Sequence, residues 1–240
     1  MTIRANYDHE IQNVRDNVVS MASMVDKAIA RSVDALRTQD VALARQVKAA
    51  DKEINAFRWQ SEEHALTIIA TQAPVAADLR LIAAALQVFT DLERMGDHAA
   101  GIAKIAIKTA EEPPLKPLID VPRMAMAARS MLNDAVTAFI ELDEDAARKV
   151  AMRDDEIDLL YDQVYRELLT YMMADPGTIN RATNLLWVSH NLERIGDRVT
   201  NICERVVFTT SGEYVSMDGG RKKRQAVADA ASASGASGLS

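Results

Sequence analysis

Four acidic side chains recur at matched places in this chain: Glu93 and Asp97, then Glu193 and Asp197, each pair inside a run Glu-Arg-x-Gly-Asp. A spacing of i, i+4 puts both carboxylates of a pair on one face of a helix. Two carboxylates side by side suit a hard divalent cation. Like charges at that spacing destabilise a helix by about 0.2–0.5 kcal/mol. The glycine between them, Gly96 or Gly196, costs a further 0.8–1.0 kcal/mol or so against alanine. Both penalties fall at the same place twice, so something is expected to offset them: a bound cation, or a backbone brought close at the glycine. Arg94 and Arg194 supply the alternative of neutralising the acids without metal. Spacing alone leaves both readings open.

Asp51, Glu53, Asp154 and Glu156 are the natural further ligands, because the helix that carries them should run antiparallel to the one bearing each acidic pair. Salt bridges to arginine would explain them equally. The four histidines, His9, His64, His98 and His190, form no repeated pair; His98 faces Arg198 in the alignment of the two halves and is expected at the surface. The single cysteine, Cys203, lies between Ile202 and Val206 and reads as a small buried residue rather than a nucleophile.

The elements that must hold these residues are helices. Ile11, Val14, Val18, Met21, Val25 and Ala28 alternate steps of three and four, the seam of a long helix. Further helical stretches use Val47 to Phe57, about Val75 to Lys108, Met124 to Ala138, Val150 to Val164, and Leu185 to Val207. Three prolines between Pro113 and Pro117 interrupt the pattern midway. Ser32 and Ser61, polar residues within seams, are expected to pack closely rather than act as sites.

The two halves are copies. Residues 33–66 match residues 136–169 at 11 of 34 positions, and residues 86–102 match residues 186–202 at 8 of 17. The offset falls from 103 to 100 between Gln72-Ala73-Pro74 and Asp175-Pro176-Gly177, both turn compositions, where a length change is tolerated. The expectation is an all-α protein of two tandem three-helix up-down-up bundles, six long helices in all. Residues 1–113 form the first repeat, 114–212 the second, and 213–240 a disordered tail.

The formal net charge is −7. From Ser216 onward, Arg221, Lys222, Lys223 and Arg224 outweigh Asp218 and Asp229, leaving the body at −9. An acidic body excludes a general nucleic-acid binder. The N-terminus lacks a signal-peptide core, no stretch is apolar enough to span a bilayer, and a lone cysteine suits a reducing compartment; a cytoplasmic protein is expected.

The duplicated Glu-Arg-x-Gly-Asp on the third helix of a three-helix repeat, with Pro74-Val75-Ala76-Ala77-Asp78-Leu79-Arg80 in the first half and Asn191-Leu192-Glu193-Arg194-Ile195-Gly196-Asp197 in the second, resembles the PhoU family over roughly residues 7 to 215. The resemblance implies a non-enzymatic, cytoplasmic negative regulator of phosphate uptake and phosphate-starvation signalling. It would be an adaptor between the ATPase subunit of the high-affinity phosphate ABC transporter and a sensor histidine kinase, often a homodimer, touching the membrane only through its partners. It also implies metal clusters of iron, zinc, manganese or magnesium in some members, held here by Glu93, Asp97, Glu193 and Asp197. Asn201 fits a further family position, although its counterpart is Gly101; Arg198 stands where the family often has histidine. A ferritin-like di-iron enzyme is disfavoured, since neither Glu93 nor Glu193 is followed three residues on by histidine. No Gly-rich loop suited to phosphate is present.

Overall fold

The computed structural model describes residues 3–217. Seven α-helices follow one another: α1 (Ile3–Thr38), α2 (Val41–Gln72), α3 (Ala76–Thr109), α4 (Asp120–Glu141), α5 (Glu144–Ala151), α6 (Asp154–Ala174) and α7 (Ile179–Ser211). The heptad seam of α1 is buried as its spacing demands: Val14, Val18, Met21, Val25 and Ala28 all lie in the core.

Turn chemistry ends the helices at the same places in both repeats. Asp40 accepts a hydrogen bond from the Leu43 amide at 2.9 Å and so caps α2; Asp143 does the same for the Ala146 amide and caps α5. The residues just before these caps, Gln39 and Leu142, both turn left-handed. Gly212, at φ +80°, closes α7 with its amide on the Phe208 carbonyl.

The six expected helical arms are present, the fifth being divided into α5 and α6. Its two pieces meet at a tightened turn in which the Arg153 amide bonds the Val150 carbonyl at 2.9 Å. Asp154, Asp155 and Glu156 then fill the first turn of α6, where acids favour a helix start. The first repeat has Ala49-Ala50 at the matching place, good helix formers, and α2 runs through unbroken.

The two repeats share one interior. α1, α3, α7 and α4 contact one another in a closed ring, α2 lying against α1 and α3, and α5–α6 against α4 and α7. α3 and α7 run antiparallel at the centre: Arg80 Nε bonds the Thr209 carbonyl near one end and Lys108 Nζ bonds Asn184 near the other. α1 and α4 are joined by Arg129, whose guanidinium grips Asp26 at 2.8 and 2.9 Å, and by Arg15 on the Ile140 carbonyl. A single buried apolar cluster runs from Val14 to Val206 through both repeats. Ser32 and Ser61 are buried among it, Ser32 bonding the Ile29 carbonyl in its own helix. Among the described residues, no helix is long and apolar enough to cross a membrane. Residues 213–217 follow α7 without helix, and the remainder of the expected tail lies outside the described residues.

Candidate functional site

Each acidic turn sits in the middle of its repeat's third helix, and the repeat's second helix crosses it at the glycine. Ile54 and Asp51 of α2 stand over Gly96; a β-carbon there would lie 3.2 Å from Ile54 Cδ1 and 3.8 Å from Asp51 Oδ1. Ile157 and Asp154 of α6 stand over Gly196 in the same way, more tightly, and a β-carbon would collide with Asp154 Oδ1. The glycines therefore admit a carboxylate from the neighbouring helix. Asp51 and Asp154 are brought to the acidic turns, as antiparallel packing allows, whereas Glu53 and Glu156 are exposed.

The two turns differ in cover and in partners. Glu93 is partly exposed and is met by Arg58 of α2 at 3.3 Å, which also holds Glu62 at 2.8 Å; Asp97 is exposed. Glu193 is only 2% exposed, with the His190 ring 3.5 Å away, and Asp197 is paired with Arg194 at 2.6 Å. The acids lie off the apolar seam of their helix, but α3 and α7 are each surrounded by several helices. A face that leaves one seam therefore enters another groove.

The Asp51 Oδ1 atom is buried and accepts no hydrogen bond among the described residues. Burial raises this carboxyl above its ordinary range, Asp97 adds repulsion, and Lys104 partly offsets both. A buried carboxylate oxygen beside a second carboxylate matches the donor chemistry of a hard cation. Among the described residues, however, no three His, Cys, Asp or Glu side chains converge at metal-ligand spacing. The donors fit such an ion in kind, offered as pairs rather than as a closed set.

Asn201 is placed elsewhere. Its side-chain amide donates to Asp91 of α3 at 3.1 Å, and Arg198 reaches the same carboxylate oxygen at 3.2 Å. Asp91 is buried, and desolvation lifts its carboxyl although Asn201 and Arg198 pull it down. On the other side of the α3–α7 contact, Asn191 stands where the first repeat has Asp91. It meets His98 at 2.9 Å and fills the space over Gly101, where a β-carbon would lie 3.1 Å from its Oδ1. His98 is thus a half-buried interface residue rather than a surface one, and burial lowers its pKa.

In the alignment of the two repeats Gly101 stands against Asn201 and His98 against Arg198. The geometry shows them to be complementary: Asp91 with Arg198 and Asn201, Asn191 with His98 and Gly101. The usable signal was that positions 91, 98 and 101, three of the nine that differ between residues 86–102 and 186–202, all change charge or polarity. Cys203 is fully buried, and burial pushes its thiol up to about 12.

The PhoU domain family model matches the chain twice, over residues 18–106 and 121–206. The chain is 40% identical over 206 residues to a phosphate-specific transport system accessory protein PhoU homolog of Aquifex aeolicus, covering 86% of this chain and 93% of that relative. It is 38% identical over 212 residues to the corresponding homolog of Caulobacter vibrioides, covering 88% and 92%. Two crystal structures superpose with a TM-score of 0.82. PhoU from Pseudomonas aeruginosa does so at 36% identity, covering 86% of this chain and all of that one. The phosphate transport system regulatory protein PhoU from Streptococcus pneumoniae does so at 30% identity, covering 88% and 99%.

Proposed function

This chain belongs to the PhoU family, and from that membership we propose that it is a cytoplasmic negative regulator of phosphate uptake and phosphate-starvation signalling. It acts as an adaptor, without catalysis, between the ATPase subunit of a high-affinity phosphate transporter and a sensor histidine kinase. The observation that carries this reading is similarity over most of the chain to accessory proteins of phosphate-specific transport.

An adaptor needs an accessible face, and α6 offers one. Tyr165, Leu169 and Met173 follow one another at i, i+4 and i+8 and are all exposed. Large apolar side chains aligned on a solvent face favour contact with a partner. The phosphate signal arrives through the partner's conformation. In cells lacking the protein, a phosphate-starvation reporter should stay on in phosphate-rich medium, and the full chain should restore repression. An unchanged reporter after deletion would remove the regulatory reading. Retained repression with Tyr165, Leu169 and Met173 all changed to serine would remove α6 as the docking face. Tight binding of inorganic phosphate to the purified protein, by calorimetry, would count against indirect sensing.

The same proposal includes metal at the acidic turns, held by Glu93 and Asp97 with Asp51, and by Glu193 and Asp197 with Asp154. Iron, zinc, manganese and magnesium all accept carboxylate oxygen. A bound cation would neutralise the acids and fix the second helix of each repeat to the third. Asn201 is already engaged by Asp91. Stoichiometric metal in tag-free protein, lost when Glu93, Asp97, Glu193 and Asp197 become alanine in a variant that remains helical, is the expected result. No metal after incubation with each ion leaves an adaptor whose acidic turns serve packing. Sedimentation at micromolar concentration tests the homodimer that the reading includes.

A further inference from the structure

Three prolines hold the connection between the repeats away from the helix ends it joins. Residues 110–119 run from α3 to α4, and Pro113, Pro114 and Pro117 can neither donate an amide hydrogen bond nor continue a helix. The connection is pinned by side chains instead. Gln39 Nε2 donates to the Glu112 carbonyl at 2.7 Å and to the Ala110 carbonyl at 3.3 Å, and Arg181 Nη1 donates to the Pro113 carbonyl at 3.4 Å. Lys116 is buried, and its ammonium is taken by Asp120 at 3.4 Å and by Glu167. Under this strap, among the ends of α1 and α3 and the start of α7, lies a cavity of about 210 Å³.

Both repeats supply its walls. Leu36 and Ile105 of the first, Leu185 of the second, and Leu115 and Leu118 of the strap give it apolar surface. Arg181 and Asn184 also line it; three residues apart on α7, they lie on one face. Asn184 is buried, and its Oδ1 accepts from Lys108 at 3.1 Å, which leaves the Nδ2 donor without a partner among the described residues. Arg181 is half-buried and forms no ion pair among them, so most of its guanidinium is uncommitted. The other cations of the lining are engaged: Arg37 with Asp34 at 2.6 Å, and Lys116 with its two acids. Glu112, which also lines the cavity, is exposed, where solvent and salt screen its charge. An amide donor and an unpaired guanidinium beside apolar walls suit a carboxylate carried on a hydrocarbon body, and arginine grips a carboxylate through two parallel hydrogen bonds.

We propose that this cavity binds a small monocarboxylate, its carboxylate on Arg181 and Asn184 and its hydrocarbon between the leucines of the two repeats. A cavity of roughly 150 Å³ holds benzene, so this larger one takes a body of about eight carbons. One such ligand touches both repeats and the strap between them, and binding therefore stabilises the shared interior by mass action. The cavity is separate from the acidic turns and from the exposed stripe of α6, and the proposal stands or falls independently of both.

The test titrates octanoate into the full chain, isotope-labelled and metal-free in chelator. Amide signals of residues 36–39, 105–118 and 181–185 should shift saturably with a Kd below about 1 mM, and the melting temperature should rise with octanoate concentration. Octan-1-ol carries nearly the same chain without the charge and should bind about tenfold more weakly or worse; octylamine should give no saturable shift. Arg181→Gln should weaken octanoate about tenfold and leave octan-1-ol unchanged. Thr109→Phe puts a ring into the cavity and should abolish binding of both, circular dichroism showing that the variant remains helical. No saturable shift with octanoate, equal binding of octylamine, or octanoate affinity unchanged by Arg181→Gln would overturn the proposal. So would retained binding in Thr109→Phe, or shifts confined to Tyr165, Leu169 and Met173 of α6, either of which would place the ligand outside the cavity. Since metal and partners are absent throughout, failure here leaves the metal and regulatory readings untouched.

Discussion

Gly96 and Gly196 occupy equivalent places in the two repeats, yet their neighbours respond differently to a side chain. At Gly96 a methyl group would meet the Cδ1 and Cγ2 atoms of Ile54 at 3.2 and 3.3 Å, contacts that a shift of a few tenths of an ångström relieves. Gly96→Ala gains up to about 1 kcal/mol of helix propensity, so its net effect should be small. At Gly196 the obstacle is the Asp154 carboxylate, close against the backbone. Gly196→Ala should destabilise by about 1–3 kcal/mol, the range for overpacking. Urea unfolding of the two variants side by side measures the difference, and equal midpoints would contradict this account.

Asp91 contributes a pH dependence at this scale. Its folded pKa is raised, chiefly by burial, so the folded state holds the proton more tightly than the unfolded one. Ionisation therefore weakens the fold as pH rises from the ordinary carboxylate value, near 3.9, through the raised value. Asp91→Asn, the residue that the second repeat has, should raise the melting temperature near pH 7. The gain should shrink to nothing on acidification below about 3.9, and a gain that grew towards acid would have the wrong sign.

Among the helices, α5 depends most on its ends. It has eight residues, short of the roughly 12 that an isolated helix needs even to be marginal. Asp143 satisfies one of its open amides. Asp143→Ala should cost about 1 kcal/mol and speed hydrogen exchange throughout α5. Asp40→Ala removes the same bond from the 32-residue α2, and exchange there should quicken only in the first turn. Identical exchange patterns in the two variants would show that length is not the deciding factor. The tight turn between α5 and α6 lies directly before Asp154, yet it is not needed to bring an aspartate over the glycine, since Asp51 reaches Gly96 from an unbroken α2.

The molecule as a whole is closer to a four-helix centre with two flanking arms than to two bundles end to end. α1 and α3 pack on α4 and α7, and one apolar cluster joins both repeats. Heat should therefore unfold it in one cooperative transition, with equal calorimetric and van't Hoff enthalpies; two separated transitions would mean that the repeats fold independently. Leu92 and Leu192 are both fully buried, one on each central helix. Changing either to alanine should cost about 2–5 kcal/mol and shift the whole transition rather than one half of it. The polar contacts across the centre add selectivity. Asp91 meets Arg198 and Asn201, while Asn191 meets His98, so unlike repeats complement each other where two copies of one repeat would not.

The local features of this protein are determined by neighbouring residues. The α1 seam, the turns at Asp40 and Asp143, the proline break after α3 and the duplication itself all depend on separations of a few residues or on self-comparison. Each was therefore present in the sequence. The pairing of acids at i, i+4 follows from helix period; antiparallel packing allows Asp51 and Asp154 to reach them, and the tertiary structure is what places them there. Tertiary structure decided what periodicity cannot express: which acidic turn is covered, that Asn201 serves Asp91, and that His98 is enclosed. It also decided that the two repeats share one interior. These outcomes depend on contacts between side chains about one hundred residues apart, where volume and charge must match across an interface. Helix spacing sets the direction of a side chain from its own axis, and only packing sets what it meets.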